Sequence, residues 1–252
     1  MKFSVLGANI NDLNSYREAY DLLLVYLGSQ NKPAYITVNN VHTVTEGFKD
    51  KDFRDIINNS YLALPDGRPL SIVGKLKGNN RVQRIFGPSF FEKALEWGVT
   101  DNLKHFFFGC SQDTLDKLKI NAEKKFPGIN IIGMISPPFR ELSKEDNEGY
   151  LSEINGCKPD IVWVSLGAPK QERWVYSNYK YLNKGVMIGI GAGFNYLSGK
   201  LSHAPDWMKD YSLEWIYRIK QEPGRLWKRY LLRNPQFIFF VLLELLGMKK
   251  VK

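Results

Sequence analysis

The sequence has 252 residues and a formal net charge of +9, with 44% hydrophobic and 24% charged residues. This balance excludes an intrinsically disordered chain and is typical of a globular protein with a full hydrophobic core. Two cysteines, Cys110 and Cys157, exclude a disulfide framework, and three histidines without ligand spacing argue against a structural zinc, so we expect a cytoplasmic protein with reduced thiols.

Short apolar runs alternate with segments of helical periodicity along the chain. Ser111 predicts one helix start and Ser143 another, with Asp146 at the capping-box offset. The alternation predicts an α/β fold with a Rossmann-like, mostly parallel sheet and helices on both faces. In such a sheet, ligands bind beyond the carboxyl ends of the strands. The predicted strands are FSVLG, AYITVN, YLALPD, RIFG, KHFFFG, INIIGM, DIVWVSLG and VMIGIGAG.

The composition shifts near residue 203, after which no β pattern is present. We therefore predict an α/β domain at residues 1–203 and a C-terminal helical appendage at residues 204–252. Pro223-Gly224 and Asn234-Pro235 predict a division of the appendage into three short helices.

The appendage is both basic and apolar. Arg225 and Arg229 lie at i and i+4 beside Lys228, opposite an apolar face. The pattern is typical of a helix in a membrane interface, and a basic helix packed on the domain by its aromatic residues is the alternative. The apolar run FIFFVLLELLGM is too short to span a bilayer and contains Glu244. Because three lysines follow it, we predict a membrane-associating appendage.

Asp66 follows the apolar run YLALP and precedes Gly67. Pro-Asp-Gly is a common turn, so a turn residue is the simplest interpretation. The apolar run, however, predicts a buried central strand before it, and Arg68 predicts a helix start after it. The strand ends offer no second carboxylate except Glu172, and no Asp-X-Asp pair, which argues against a glycoside hydrolase and a Mg²⁺-nucleotide site.

Three other strand ends carry candidate binding residues, each with an ordinary structural alternative. GIGAGFN, residues 189–195, can bring backbone N–H groups to a pyrophosphate or form a tight turn. Its spacing differs from G-x-G-x-x-G, which argues against a nicotinamide dehydrogenase. LGAPKQE, residues 166–172, places Lys170 and Gln171 above the crevice or simply begins a helix. TVNNVHT, residues 37–43, suits sugar hydroxyls and uracil edges, or helix caps.

Six stretches together resemble one enzyme family. ITVNNVHTV, LPDGRPL, ISPPFR, VSLGAPKQE, GIGAGFNYLSGKLSHAP and EWIYRIKQEPGRLWKRY occur in family order between about residue 35 and residue 233. They resemble the WecG/TagA/CpsF glycosyltransferase family (glycosyltransferase family 26). The resemblance implies inverting, metal-independent transfer from a UDP-sugar to a polyprenyl-diphosphate-linked acceptor at the cytoplasmic membrane face. It implies N-acetylmannosamine as the sugar, with N-acetylmannosaminuronic or glucuronic acid as alternatives, and no cofactor.

The resemblance also implies residue roles, with residues 1–203 as the catalytic domain. Asp66 takes the place of the catalytic base, and Thr37 and Gln171 those of pocket residues. Two departures are Asn195, where the family has aspartate, and Lys228, which lacks the two-pronged guanidinium of arginine. Expected donor contacts are Asn39, Asn40, Gly109, Lys170, Gly191, Gly193 and Asn195, and expected lipid-diphosphate contacts are Arg218, Arg225, Lys228 and Arg229.

Two readings from other classes compete with a transferase. A nucleic-acid-binding module would suit the net charge of +9, but the basic and aromatic cluster lies beside an apolar C-terminal helix rather than on a sheet face. The second competing reading is a noncatalytic, membrane-docked scaffold that binds nucleotide-sugars. We expect a peripheral protein on the inner face of the cell membrane with no nucleic-acid partner, and the sequence leaves a homo-oligomer open.

Overall fold

The computed structural model describes residues 1–29, 32–205, 207–208 and 213–248, with side chains at all of these except 225 and 228–230. Six parallel strands form the main sheet in the order β4-β3-β8-β7-β5-β6, and β1 and β2 form a separate antiparallel hairpin. The strands are β1 (Lys2–Val5), β2 (Ala8–Asn11), β3 (Ala34–Asn39), β4 (Leu62–Pro65), β5 (Lys104–Gly109), β6 (Asn130–Ile135), β7 (Ile161–Ser165) and β8 (Val186–Gly189).

Helices connect the strands and cover both faces of the sheet. The α-helices with described bounds are α1 (Tyr16–Ser29), α2 (Val41–Lys49), α3 (Lys51–Asn58), α4 (Arg68–Leu76), α5 (Gly87–Thr100), α6 (Gln112–Lys125), α7 (Lys144–Cys157), α8 (Lys170–Asn178), α9 (Gly193–Leu197), α10 (Glu214–Gln221) and α11 (Pro223–Leu245), and Tyr179–Tyr181 forms a short 3-10 helix.

Alternating side chains of each strand enter two separate cores. Phe106 and Phe108 of β5 pack with helices α2, α3, α7 and α8, whereas Phe107 packs with α1, α5, α6 and α9. This division follows from the two-residue period of a strand, and it explains why the central strands are apolar at nearly every position. The predicted Rossmann-like α/β fold is confirmed, and Ser111 and Ser143 cap helices as predicted.

Two strand predictions are wrong. RIFG is not a strand of the sheet: residues 84–86 are extended and Gly87 begins α5, because the Ile85 N–H bonds to the Pro65 carbonyl, the Gly87 N–H bonds to Asp66 Oδ1, and Pro88 has no N–H to pair. The strand before Asp66 is an edge strand and not a central one. It is nevertheless buried, because the hairpin covers it and the Asn11 side chain accepts a hydrogen bond from the Ala63 N–H at 2.8 Å.

The predicted break at Asn234-Pro235 is wrong, since α11 continues through Pro235. The missing proline N–H costs one helical hydrogen bond. Packing on both sides of this point sustains the helix, because Leu226 is buried before it, and Phe237 and Val241 are buried after it in the core shared with α2. The predicted boundary after residue 203 stays a prediction, as does membrane association. Within the described ranges, no helix combines the length and the apolar character needed to cross a bilayer.

Candidate active site

A cavity of about 300 Å³ opens at the carboxyl ends of β3 and β4. The first turn of α4 forms one wall, and α10 forms another. The lining residues are Asn40, Val41, His42, Asp66, Gly67, Arg68, Pro69, Ile72, Arg84, Phe86, Glu214, Trp215, Arg218 and Asn234.

Asp66 lies in this cavity, held from three directions. Its backbone N–H donates to the Asn39 carbonyl at 2.8 Å, which ties the turn to β3. Its Oδ1 accepts from the Gly87 N–H at 2.9 Å, and its Oδ2 accepts from Asn40 Nδ2 at 3.3 Å. Each carboxylate oxygen can accept a further hydrogen bond, so the group is oriented and still able to take a proton.

Asn40 combines two tasks in one side chain. Its Oδ1 caps α2 by accepting from the His42 and Thr43 N–H groups, and the Thr43 hydroxyl completes a capping box. Its Nδ2 is thereby turned toward Asp66. The helix cap and the orientation of the carboxylate therefore depend on the same amide.

Arg84 joins the Asp66 turn to the C-terminal segment. Its Nε donates to the Asp66 carbonyl at 2.7 Å, and its Nη1 donates to Glu214 Oε2 at 2.7 Å. Burial alone would lower the pKa of Arg84, but the carboxylates of Asp66 and Glu214 hold this pKa above its ordinary value. The cavity therefore contains a permanent positive charge beside Asp66.

Tyr16 lies at the back of this cluster, where its hydroxyl accepts from the Phe86 N–H at 3.1 Å. Burial raises its pKa, and the negative charge of Asp66 acts in the same direction while Arg84 opposes it. The phenol therefore stays protonated at neutral pH and serves as a neutral support for the segment that carries Arg84.

A second cluster lies at the ends of β5, β7 and β8. Gln171 is buried, and its Oε1 accepts from the Gly191 N–H at 3.0 Å. Ser165 Oγ donates to the Gly191 carbonyl at 2.6 Å. Gly109 has φ +125°, and a Cβ there would lie 2.3 Å from the Ser165 carbonyl oxygen, so only glycine fits. The glycine-rich turn is thus fixed by Ser165 at the end of β7 and by Gln171 in α8.

The two clusters meet at Gly87. A Cβ at this position would lie 3.9 Å from Asp66 Oδ1 and 3.8 Å from Ile190 Cδ1. Ile190 belongs to the glycine-rich turn, so this turn and the carboxylate of Asp66 both lie beside Gly87. A molecule that extends from the second cluster to the cavity would therefore pass Asp66.

The other predicted residues lie in varied settings. Thr37 and Asn39 are buried under the cavity, where Asn39 Nδ2 donates to Thr37 Oγ1 at 2.9 Å. Lys170 is exposed, and its Nζ donates to the Arg140 carbonyl at 3.1 Å.

The remaining predicted residues lie in α9 and the C-terminal segment. The Gly193 N–H donates to the Ile190 carbonyl at 3.2 Å, and Asn195 is half-buried on α9. The side chains of Arg225, Lys228 and Arg229 lie outside the described part of the chain.

Of the predicted residues, the cavity brings together Asp66, Asn40 and Arg218. Sequence reasoning missed Arg84 and Glu214. Arg84 directly precedes the apolar residues Ile85 and Phe86. This was a usable signal, because an arginine beside a buried run needs a charged partner. In the described ranges, no three His, Cys, Asp or Glu side chains are placed to hold a metal ion.

Comparison with known proteins identifies the family. Residues 3–251 match the Glycosyl transferase WecG/TagA/CpsF family. The chain is similar to N-acetylglucosaminyldiphosphoundecaprenol N-acetyl-beta-D-mannosaminyltransferases of three bacteria. The Bacillus subtilis (strain 168) protein is 32% identical over 94% of this chain and 90% of its own length. The Bacillus spizizenii (strain W23) protein is 29% identical over 84% of this chain and 80% of its own length. The Staphylococcus aureus (strain MW2) protein is 22% identical over 90% of this chain and 86% of its own length. With a match over nearly its whole length and the fold described above, the chain belongs to the glycosyl transferase WecG/TagA/CpsF family.

Proposed function

We propose that this protein transfers N-acetylmannosamine from a UDP-sugar to a polyprenyl-diphosphate-linked N-acetylglucosamine, with inversion at the anomeric carbon. The observation that carries the proposal is the oriented carboxylate of Asp66 in the cavity of a chain from this family. The names of its relatives, which are similar over most of their length, support the choice of sugar and acceptor.

Asp66 acts as the general base. Its carboxylate removes the proton from the acceptor hydroxyl as that oxygen attacks the anomeric carbon of the donor. The new glycosidic C–O bond forms as the bond to the UDP oxygen breaks, and UDP leaves with the electron pair. The hydrogen bonds from Gly87 and Asn40 hold the carboxylate in place without protonating it.

The donor lies across the second cluster, with its sugar directed toward Asp66. The position of Ile190 and Asp66 on either side of Gly87 supports this direction. Because the Gly191 N–H already donates to Gln171, Gln171 shapes the turn that receives the donor. We propose that no metal is needed, and that Arg84 and the N-termini of nearby helices stabilise the charge that develops on the departing diphosphate. The roles of Gly109, Lys170, Gly193 and Asn195 as donor contacts are part of this proposal.

The acceptor diphosphate lies near Arg218, which lines the cavity. Arg225, Lys228 and Arg229 follow on α11 as further diphosphate contacts. The protein associates peripherally with the inner face of the cell membrane. Exposed apolar side chains along α11 support this location, namely Leu231, Leu232, Ile238, Phe239, Leu242, Leu245 and Leu246.

The test is incubation of the purified protein with a panel of UDP-sugars and a polyprenyl-diphosphate-N-acetylglucosamine, followed by mass spectrometry of the lipid. We expect the mass of one added N-acetylmannosamine. A product with a uronic acid would favour the alternative donors, and Arg68 in the cavity wall is placed to meet a donor carboxylate. No product with any donor would reject the transferase.

A further inference from the structure

Helix α4 carries apolar residues on the face where a polar face is expected. Its inward side chains, Leu70 and Val73, are packed in the core. On the outward face, Ile72 is 54% exposed and Leu76 is 65% exposed. They lie four residues apart and therefore form a continuous stripe along one side of the helix. A surface helix normally places charged or polar residues there.

The stripe begins inside the cavity that contains Asp66. Arg68 and Ile72 line the cavity, whereas Leu76 lies one turn beyond Ile72 and outside it. At the rise of an α-helix, Arg68 and Leu76 are about 12 Å apart. The stripe thus leads away from the carboxylate along the surface of the protein.

The far end of the stripe meets the C-terminal end of α11. Lys77, the residue after α4, forms an ion pair with Glu244 of α11 at 2.9 Å. Leu245 and Leu246, directly after Glu244, are exposed. Exposed leucines therefore stand next to both members of this ion pair, on α4 and on the helix that we propose to contact the membrane.

This arrangement fits a ligand with a diphosphate followed by a long hydrocarbon chain. Arg68 and Arg218 at the cavity suit the diphosphate, because guanidinium groups bind phosphate oxygens through paired hydrogen bonds. The stripe suits the hydrocarbon, because apolar surface is more stable away from water. We propose that Ile72 and Leu76 bind the first isoprenoid units of the lipid acceptor, on its path from the cavity to the membrane. The inference rests on the proposed function, from which it takes the lipid acceptor.

The test is calorimetric binding of farnesyl diphosphate and of inorganic diphosphate, without membranes. The variant is Ile72→Gln/Leu76→Gln, which keeps helix propensity and removes the apolar stripe. The matched control is Val25→Gln/Ile120→Gln, since these side chains are 64% and 63% exposed on α1 and α6. We expect the native protein to bind farnesyl diphosphate at least tenfold more tightly than diphosphate. The variant should lose most of this difference while its affinity for diphosphate stays within twofold, and the control should keep the difference.

A variant that keeps the full preference for farnesyl diphosphate would overturn the proposal. If that variant also loses binding to phosphatidylglycerol vesicles, the stripe is a contact for the bilayer instead. Because the readout is binding without a donor, failure of the transferase assay is distinguishable from failure of the isoprenoid site.

Discussion

Arg84 and Glu214 form a charged hydrogen bond of 2.7 Å between residues 130 positions apart in the chain. The same guanidinium donates to the carbonyl of Asp66, so α10 is attached to the turn that bears the carboxylate. The wall of the cavity and its reactive group are thereby held by one side chain.

Asp66→Asn should reduce transfer by about 10²–10⁴-fold, because an amide can accept the hydrogen bond from Gly87 but cannot remove a proton. Binding of UDP should change little. The measurements are the turnover number with saturating substrates and calorimetric titration with UDP. Asp52→Asn, at an exposed position in α3, serves as the control. Turnover at the native rate in the Asp66 variant would reject its role as the base.

The Arg84–Glu214 pair should couple strongly in a double-mutant cycle with alanine at each position. Both side chains are largely buried, so we expect a coupling energy of about 1–3 kcal/mol in the free energy of unfolding by urea. The exposed pair Lys51–Asp55 in α3 provides the comparison and should show a much weaker coupling, because water screens both charges. Equal coupling in the two cycles would show that the buried pair has no special stabilising role.

Gly109→Ala should destabilise the protein by about 2 kcal/mol or more, because its φ is positive and the new Cβ would overlap the Ser165 carbonyl. Gly149→Ala is the matched control, since it lies inside α7 with open space around it. That change should stabilise by about 0.4–1 kcal/mol. Thermal and urea unfolding measure both, and a tolerated alanine at 109 would contradict the geometry of this turn.

Stability should fall as the pH decreases below about 6.5. Burial of His105, whose Nδ1 accepts from the Trp163 indole N–H at 3.2 Å, lowers its pKa from 6.5 to about 4. Between these two values the unfolded chain binds a proton that the folded protein does not, so acid favours unfolding. The loss between pH 7 and pH 5 should be about 2 kcal/mol.

Urea unfolding across this pH range is the measurement for His105. In His105→Gln, this part of the slope should disappear, whereas His203→Gln should retain it because His105 is still present. An unchanged slope in the His105 variant would assign the acid sensitivity to other groups.

The strands of the sheet could be predicted because their chemistry is local. A strand covered on both faces must be apolar throughout, and AYITVN and KHFFFG coincide with β3 and β5. The RIFG segment has the same apolar character, but its partners are Pro65 and Asp66, about 20 residues earlier in the chain. A local pattern contains no information about such partners, and so the strand prediction failed there.

The candidate site was predictable only in part for the same reason. Asp66 and Asn40 follow strands and could be placed at the crevice from the order of elements alone. Arg84 and Glu214 acquire their significance from a contact that only the folded chain creates. The position of α10 over the cavity depends on this contact, and no periodicity in the sequence specifies it.

Glu244 accepts hydrogen bonds from the Leu6 N–H with both carboxylate oxygens, at 3.2 Å each, across 238 residues. During synthesis, the turn between β1 and β2 therefore lacks these hydrogen bonds until the end of α11 emerges. At roughly 5–20 residues per second this delay is about 10–50 s. The packing of the hairpin against α11 is consequently a late event in folding, because it cannot occur before residue 244 has been synthesised.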